Sequence, residues 1–209
     1  MAKSVYSLVL RDEVVAEIDR LAYRMNTNRS NMINQILAEY VSMTTPEKRM
    51  QEVFTRITNM LTESGIFQPM LQPSDSMLSV RSALAYKYNP TVRYSVELQR
   101  SEEGAAGCLK VSLRSQNSSL MLYWRQFFSC WNAIEKLYQK ELRCELEAGR
   151  YLRYFTLPQE IGSDEQGEMI AGYIQLLDDC MKLFFDHLEQ PQAVLREMEA
   201  RYREAQPMI

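Results

Sequence analysis

The sequence predicts an α+β protein in two parts, a short strand–helix–helix unit over residues 1–45 and a larger α+β domain over 46–209. Three observations carry that prediction. Side chains alternate over Ser4–Leu10 and then change to a 3.6-residue period twice before Pro46. Alternating segments punctuated by turn residues follow within 79–115, the pattern of a three-stranded antiparallel meander with one buried face. Helical periodicity then occupies 119–145, 164–188 and 191–205, enough apolar surface to cover that sheet.

In the first part, Tyr6, Leu8 and Leu10 fall on one face of the strand and Val5, Ser7 and Val9 on the other. Asp12 is expected to cap a helix beginning at Glu13, with Glu13 and Glu17 near the positive end of its dipole. Val14, Ile18, Leu21, Ala22 and Met25 form the buried stripe of that helix. Asn26 suits the left-handed conformation that ends a helix. Thr27 or Asn28 caps the next one, whose buried positions are Met32, Ile33, Ile36, Leu37 and Tyr40. Thr44-Thr45-Pro46 closes the unit. A single strand has no partner within such a unit, so strand pairing between two copies of the chain, a homodimer, is expected.

This order of elements, with Asn28-Arg29-Ser30-Asn31-Met32-Ile33 at the second helix start, resembles the ribbon-helix-helix family, the Arc/MetJ/CopG-like DNA-binding proteins. The resemblance covers residues 3–43, roughly a fifth of the chain. It implies an intertwined dimer whose paired strands enter the major groove of double-stranded DNA. By the same resemblance Val5, Ser7 and Val9 face the groove. Asn28, Arg29 and Ser30 anchor a phosphate at the helix start, where free N–H groups and the helix dipole favour an anion. Groove-facing positions in the family are commonly polar or basic, whereas two of the three here are valine. Valine touches a thymine methyl but offers no hydrogen bond to a base edge. Sequence discrimination is then expected from Ser7, from Lys3 at the strand start and from DNA shape. The alternative is a unit that only clasps two chains together.

Beyond it, Thr45 as cap and Pro46 at the first helical position open a connecting helix over 46–65 that Gly65 ends. Its stripe is Met50, Val53, Phe54, Ile57, Met60 and Leu61, and residues 66–78 read as a loop. The expected strands are Val80–Tyr88, Thr91–Arg100 and Cys108–Arg114. Val80, Leu84, Tyr86 and Tyr88 face inward from the first, Val92, Tyr94, Val96 and Leu98 from the second, and Leu109, Val111 and Leu113 from the third. The opposite face carries Arg81, Lys87, Arg93, Lys110 and Arg114 against the single acid Glu97. Such a row contacts nucleic acid or another anionic ligand, or is a solvated face.

A long helix is expected over Ser119–Glu145, with Leu120, Trp124, Phe127, Phe128, Trp131, Ile134 and Tyr138 on its apolar side. Arg150–Leu157 reads as a short strand or an irregular link. Ser163 and Gln166 form a candidate capping box for the next helix. Pro191 opens the last, with Val194, Leu195, Met198 and Tyr202 buried. These two helices lie on the sheet as a hairpin or supply a partner-binding surface.

Composition excludes several classes. Apolar residues at 46% and charged residues at 24% are those of an ordinary globular protein. No apolar run is long enough to span a membrane, and the N-terminus lacks the pattern of a secretory signal, so the cytoplasm is the expected compartment. Net charge is −3, and residues 1–46 balance five basic against five acidic residues. A neutral unit argues for a few placed DNA contacts over strong nonspecific affinity. Cys108, Cys130, Cys144 and Cys180 are widely spaced, which fits small buried hydrophobes better than disulfides or metal ligands.

His187 is the single histidine and sits near a helix C-terminus, a structural placement. With no second histidine, the histidine-based zinc motifs cannot form, and a triad has no spare base. Neither a phosphate loop nor a dinucleotide-binding glycine turn is present, and Asp178 and Asp179 are adjacent on a helix and do not face each other. No enzyme activity, cofactor or metal is expected. The expected function is a dimeric, sequence-specific DNA-binding transcriptional regulator. Its C-terminal domain would sense a small-molecule effector or build higher oligomers. The alternative is a dimeric accessory or scaffold protein, of the plasmid mobilisation or partition type, whose C-terminal domain binds a protein partner.

Overall fold

The computed structural model describes residues 6–41, 45–71, 74–99, 106–139, 141–158, 160–207 and 209. It is mixed α and β and divides into two units, Met1–Arg49 and Met50–Ile209. No helix among the described residues is long and apolar enough to cross a membrane.

The first unit contains helices α1 (Asp12–Arg24) and α2 (Arg29–Tyr40). Asp12 lies inside α1, not before it: Arg11 occupies the cap in an extended conformation without a side-chain hydrogen bond. Asp12 and Glu13 thereby fall in the first turn, where the exposed amides favour acids. The helix ends as a Schellman motif. Asn26 turns left-handed at φ 49°, its amide reaches Tyr23 O at 3.2 Å, and the Thr27 amide reaches Ala22 O at 2.9 Å. Two carbonyls that a helix end would leave bare are thus satisfied.

Helix α3 (Pro46–Glu63) starts in the first unit and continues into the second, where Met50, Val53, Phe54, Ile57 and Leu61 join the core. Thr45 caps it, its hydroxyl accepting from the Lys48 amide at 3.2 Å. Gly65, at φ 68°, follows its end.

The second unit is built on a six-stranded antiparallel sheet, larger than the expected meander. Its strands are β1 (Gln68–Pro69), β2 (Met77–Ala83), β3 (Thr91–Leu98), β4 (Ala106–Leu113), β5 (Arg143–Glu147) and β6 (Arg150–Thr156), in the order β1-β2-β3-β4-β6-β5. Strand β2 begins and ends earlier than expected. Tyr88 and Asn89 take positive φ in the turn that follows it, so Tyr88 is exposed, whereas Val80, Leu84 and Tyr86 turn toward the core as expected. The long helix, α4 (Ser118–Tyr138), ends seven residues before Glu145; Arg143–Glu147 is instead a strand. Alternating charges in Arg143, Glu145 and Glu147 are the solvent side of an edge strand, a pattern that also suits the polar side of a helix. Arg150–Leu157 resolves as β6 over Arg150–Thr156. A two-residue hairpin joins it to β5, with Gly149 at φ 70° and so close to Leu113 O that a Cβ would stand 2.7 Å from it.

Helices α4, α5 (Ser163–Asp186) and α6 (Pro191–Ala205) contribute to one core with the sheet. Trp124, Phe127, Phe128 and Trp131 from α4 are fully buried, and Phe128 stacks on Tyr151 of β6 at 4.3 Å between ring centroids. The capping box expected at α5 does not form. Gly162 occupies the cap, Ser163 donates to Glu52 of α3 at 2.7 Å, and Gln166 donates weakly to the carbonyls of Pro158 and Ile161. The four cysteines are free thiols, with Cys180 buried and the others half-buried.

Two carboxylates lie inside this core. Glu135 of α4 accepts from Arg153 Nε at 2.9 Å, Tyr173 at 2.9 Å and Tyr151 at 3.0 Å. Asp178 of α5 accepts from Tyr94 at 2.7 Å, Ser82 at 3.2 Å and Lys182 at 2.6 Å. A charge removed from water is tolerated only with partners of this kind.

Candidate nucleic-acid interface

Of the residues expected to meet DNA, Asn28, Arg29 and Ser30 are brought together at the start of α2. Asn28 caps the helix: its Oδ1 accepts from the Asn31 amide at 2.9 Å. The Arg29 and Ser30 amides have no acceptor among the described residues, and all three side chains are at least partly exposed. The local geometry is that of an open helix N-terminus, able to receive a single anion.

Arg29 also has a partner within the unit. Its Nε and Nη2 donate to the two carboxylate oxygens of Asp19 on α1, at 2.7 and 2.5 Å, a bidentate pair that ties the start of α2 to the middle of α1. The pairing holds the Asp19 carboxyl below its ordinary range and raises the Arg29 guanidinium, in each case mainly through the hydrogen bond. The sequence does not reveal this pair, whose members stand ten positions apart on different helices.

Ser7 and Val9 are exposed and Lys3 and Val5 lie outside the described residues. Tyr6–Leu10, the described part of the strand expected between two copies, is unpaired in the single chain. Its backbone has no partner among the described residues, and a strand exists only through a neighbour's hydrogen bonds.

The apolar stripes of the two helices are mostly uncovered. Ile18, Ala22 and Met32 form the buried cluster, with Leu21 and Ile33 packed against it. Val14, Met25, Ile36, Leu37 and Tyr40, expected inside, are exposed, as are Leu8 and Leu10. Two short helices from one chain cannot enclose this much apolar surface.

The cationic row expected on the second unit's sheet is only partly there. Arg81, Arg93 and Lys110 stand on β2, β3 and β4, facing away from the core. Lys87 belongs to the turn after β2, 5.6 Å from the Tyr88 ring centroid, and Arg114 lies just past the end of β4. Among the described residues no group of three or more His, Cys, Asp or Glu side chains is placed to hold a metal ion. Comparison with known proteins returned no match: no family model, no curated protein and no solved structure.

Proposed function

We propose that the chain is a DNA-binding transcriptional regulator acting as a homodimer, in which Tyr6–Leu10 of two copies pair and residues 50–209 sense an effector or assemble the dimers further. The observation that carries this reading is the uncovered apolar surface of the first unit. Leu8 is 60% exposed and Leu37 53%, around a buried cluster of three residues. Exposed apolar side chains in this number mark a contact surface, and a second copy would supply both the missing strand and the missing cover. The open, Asn28-capped start of α2 adds an anion position beside it. The likeness of residues 3–43 to ribbon-helix-helix proteins points the same way.

The test is titration of a labelled duplex library at several salt concentrations. The reading expects a negative slope of log affinity on log salt and enrichment of a pseudo-palindromic sequence. Ser7→Ala is expected to change sequence preference, and Arg29→Ala to weaken all sequences alike. Absence of duplex binding at low salt rejects the proposal.

A second reading is favoured by the Asp19–Arg29 pair, which occupies the cation expected on phosphate. On that reading the first unit is a dimerisation clasp for an accessory or scaffold protein, and the second unit binds a protein partner. A partner retained at high salt, with no preferred duplex, supports it. A monomer by light scattering at micromolar concentration rejects both.

A further inference from the structure

Strand registers place the outward side chains of the second unit's sheet in rows. One row runs Gln68, Arg81, Arg93, Ser112 and Arg150 across β1, β2, β3, β4 and β6. The next runs Ser79, Ser95 and Lys110. Arg81 and Arg93 are therefore directly opposed on neighbouring strands, and Lys110 stands diagonally from Arg93 on the strand beyond. Like charges opposed across strands destabilise a sheet, so this arrangement is costly unless an anion lies between them.

No protein carboxylate fills that role among the described residues. Arg81 Nε donates to the neutral Gln68 Oε1 and Arg93 Nη2 to Ser79 Oγ, both at 3.1 Å. The Ser79 and Ser95 hydroxyls bond each other at 2.9 Å, and Arg93 Nε is buried with no partner. None of Arg81, Arg93 and Lys110 forms an ion pair with a described residue. On the same face Glu147 is engaged by Arg150 at 3.3 Å, Glu145 ends the Lys110 row two strands away on β5, and Glu97, opposite Cys108, lies diagonally from Lys110 and two rows from Arg81 and Arg93 without an ion pair to any of them among the described residues.

We infer that this face is a second contact surface for the phosphate backbone of double-stranded DNA, carried by Arg81, Arg93 and Lys110. Neighbouring strands lie about 4.8 Å apart, so three cations on three consecutive strands span about 10 Å. One strand of duplex DNA presents a phosphate every ~3.4 Å along its axis, about three within that length. Guanidinium groups match phosphate oxygens two at a time. An acidic protein segment offers no such regular charge spacing. The surface supplies affinity without sequence information, since it reaches no base edge. This goes beyond the function proposed for the first unit and stands on different residues.

The experiment compares the full chain with an Arg81→Gln/Arg93→Gln/Lys110→Gln variant, each titrated with duplex DNA over a range of salt. Each lost phosphate contact lowers the slope by ~0.9, so the variant is expected to show a slope shallower by about 2 to 3, with affinity lost equally for all sequences. Circular dichroism checks the fold; if the triple variant fails to fold, the exposed Arg81→Gln alone is expected to lower the slope by about 1. Combination with Arg29→Ala separates the two units. If the first unit does not touch DNA, Arg29→Ala changes nothing while the sheet variant still loses its slope. An unchanged slope in the folded sheet variant overturns the inference, as does a parent chain that binds no duplex at low salt. A changed oligomeric mass with unchanged DNA binding also overturns it, and assigns the face to a protein contact.

Discussion

Glu135 and Arg153 meet inside the second unit, carboxylate to Nε at 2.9 Å, with both side chains sealed from solvent. Each holds the other in place, and each has further donors or acceptors. Glu135 takes the Tyr151 and Tyr173 hydroxyls, while Arg153 Nη2 reaches Gln139 Oε1 at 2.6 Å and the Ile209 carbonyl at 2.5 Å. Removing one member leaves a buried charge uncompensated. Glu135→Leu is expected to cost about 3–5 kcal/mol in urea unfolding, and Glu135→Leu combined with Arg153→Met less than Glu135→Leu alone. A single-variant loss under about 1 kcal/mol rules out a sealed pair.

Helix α5 offers an internal control in its two helical glycines. A Cβ on Gly167 would stand 2.7 Å from Arg56 Cβ and 3.0 Å from Val53 O of α3, whereas nothing lies within 4 Å of one on Gly172. Gly167→Ala is therefore expected to destabilise by about 1–3 kcal/mol through overpacking. Gly172→Ala is expected to stabilise by about 0.5–1 kcal/mol, the gain in helix propensity. Equal effects at the two sites would contradict a close α3–α5 crossing.

Alkaline pH is expected to unfold the second unit. Burial pushes the Cys180 thiol up to about 12 from 9.0. Burial and the neighbouring carboxylates Asp178 and Glu135 push Tyr94 and Tyr173 well above 10.0. The folded state favours the protonated forms, so their contribution is complete below the unfolded values and is lost as pH rises toward the folded ones. Thermal midpoints should be insensitive to these groups up to about pH 9 and fall above it. Tyrosinate absorbance of the buried rings should rise together with loss of ellipticity; a rise well before unfolding would mean that these hydroxyls are accessible.

Asp19→Asn is expected to release Arg29. If Arg29 then meets phosphate, duplex affinity rises, and the gain disappears in an Arg29→Ala background, a coupling that a simple loss of one negative charge does not produce. Glu17→Gln on the same helix is the charge control. Equal gains with and without Arg29 would remove Arg29 from the interface.

Local chemistry explains which elements were readable. The ends of α1, α3 and α6 are marked by Asn26, by Thr45-Pro46 and Gly65, and by Pro191, residues whose backbone preferences act over one turn. Inward alternation identified Val92, Tyr94, Val96 and Leu98 on β3, and Leu109, Val111 and Leu113 on β4. Strand β5 was not readable, and Arg150–Leu157 stayed open between a short strand and an irregular link, because the reason for these strands lies elsewhere in the chain: β6 pairs with β4, some forty residues earlier, and β5 pairs with β6. Within the candidate interface the Asn28 cap was legible for the same local reason, while the engagement of Arg29 by Asp19 was not.

The sequence by itself determined the periodicities, the helix ends, and the apolar inventory of a first unit too small to enclose it. Those follow from backbone preferences and the hydrophobic pattern, which act between near neighbours. Tertiary structure alone decided which charges are satisfied: Arg29 by Asp19, Arg153 by Glu135, and Arg81, Arg93 and Lys110 by no carboxylate among the described residues. Charge pairing depends on distance in space, and for these residues that distance is set by helix packing and strand register rather than by position along the chain.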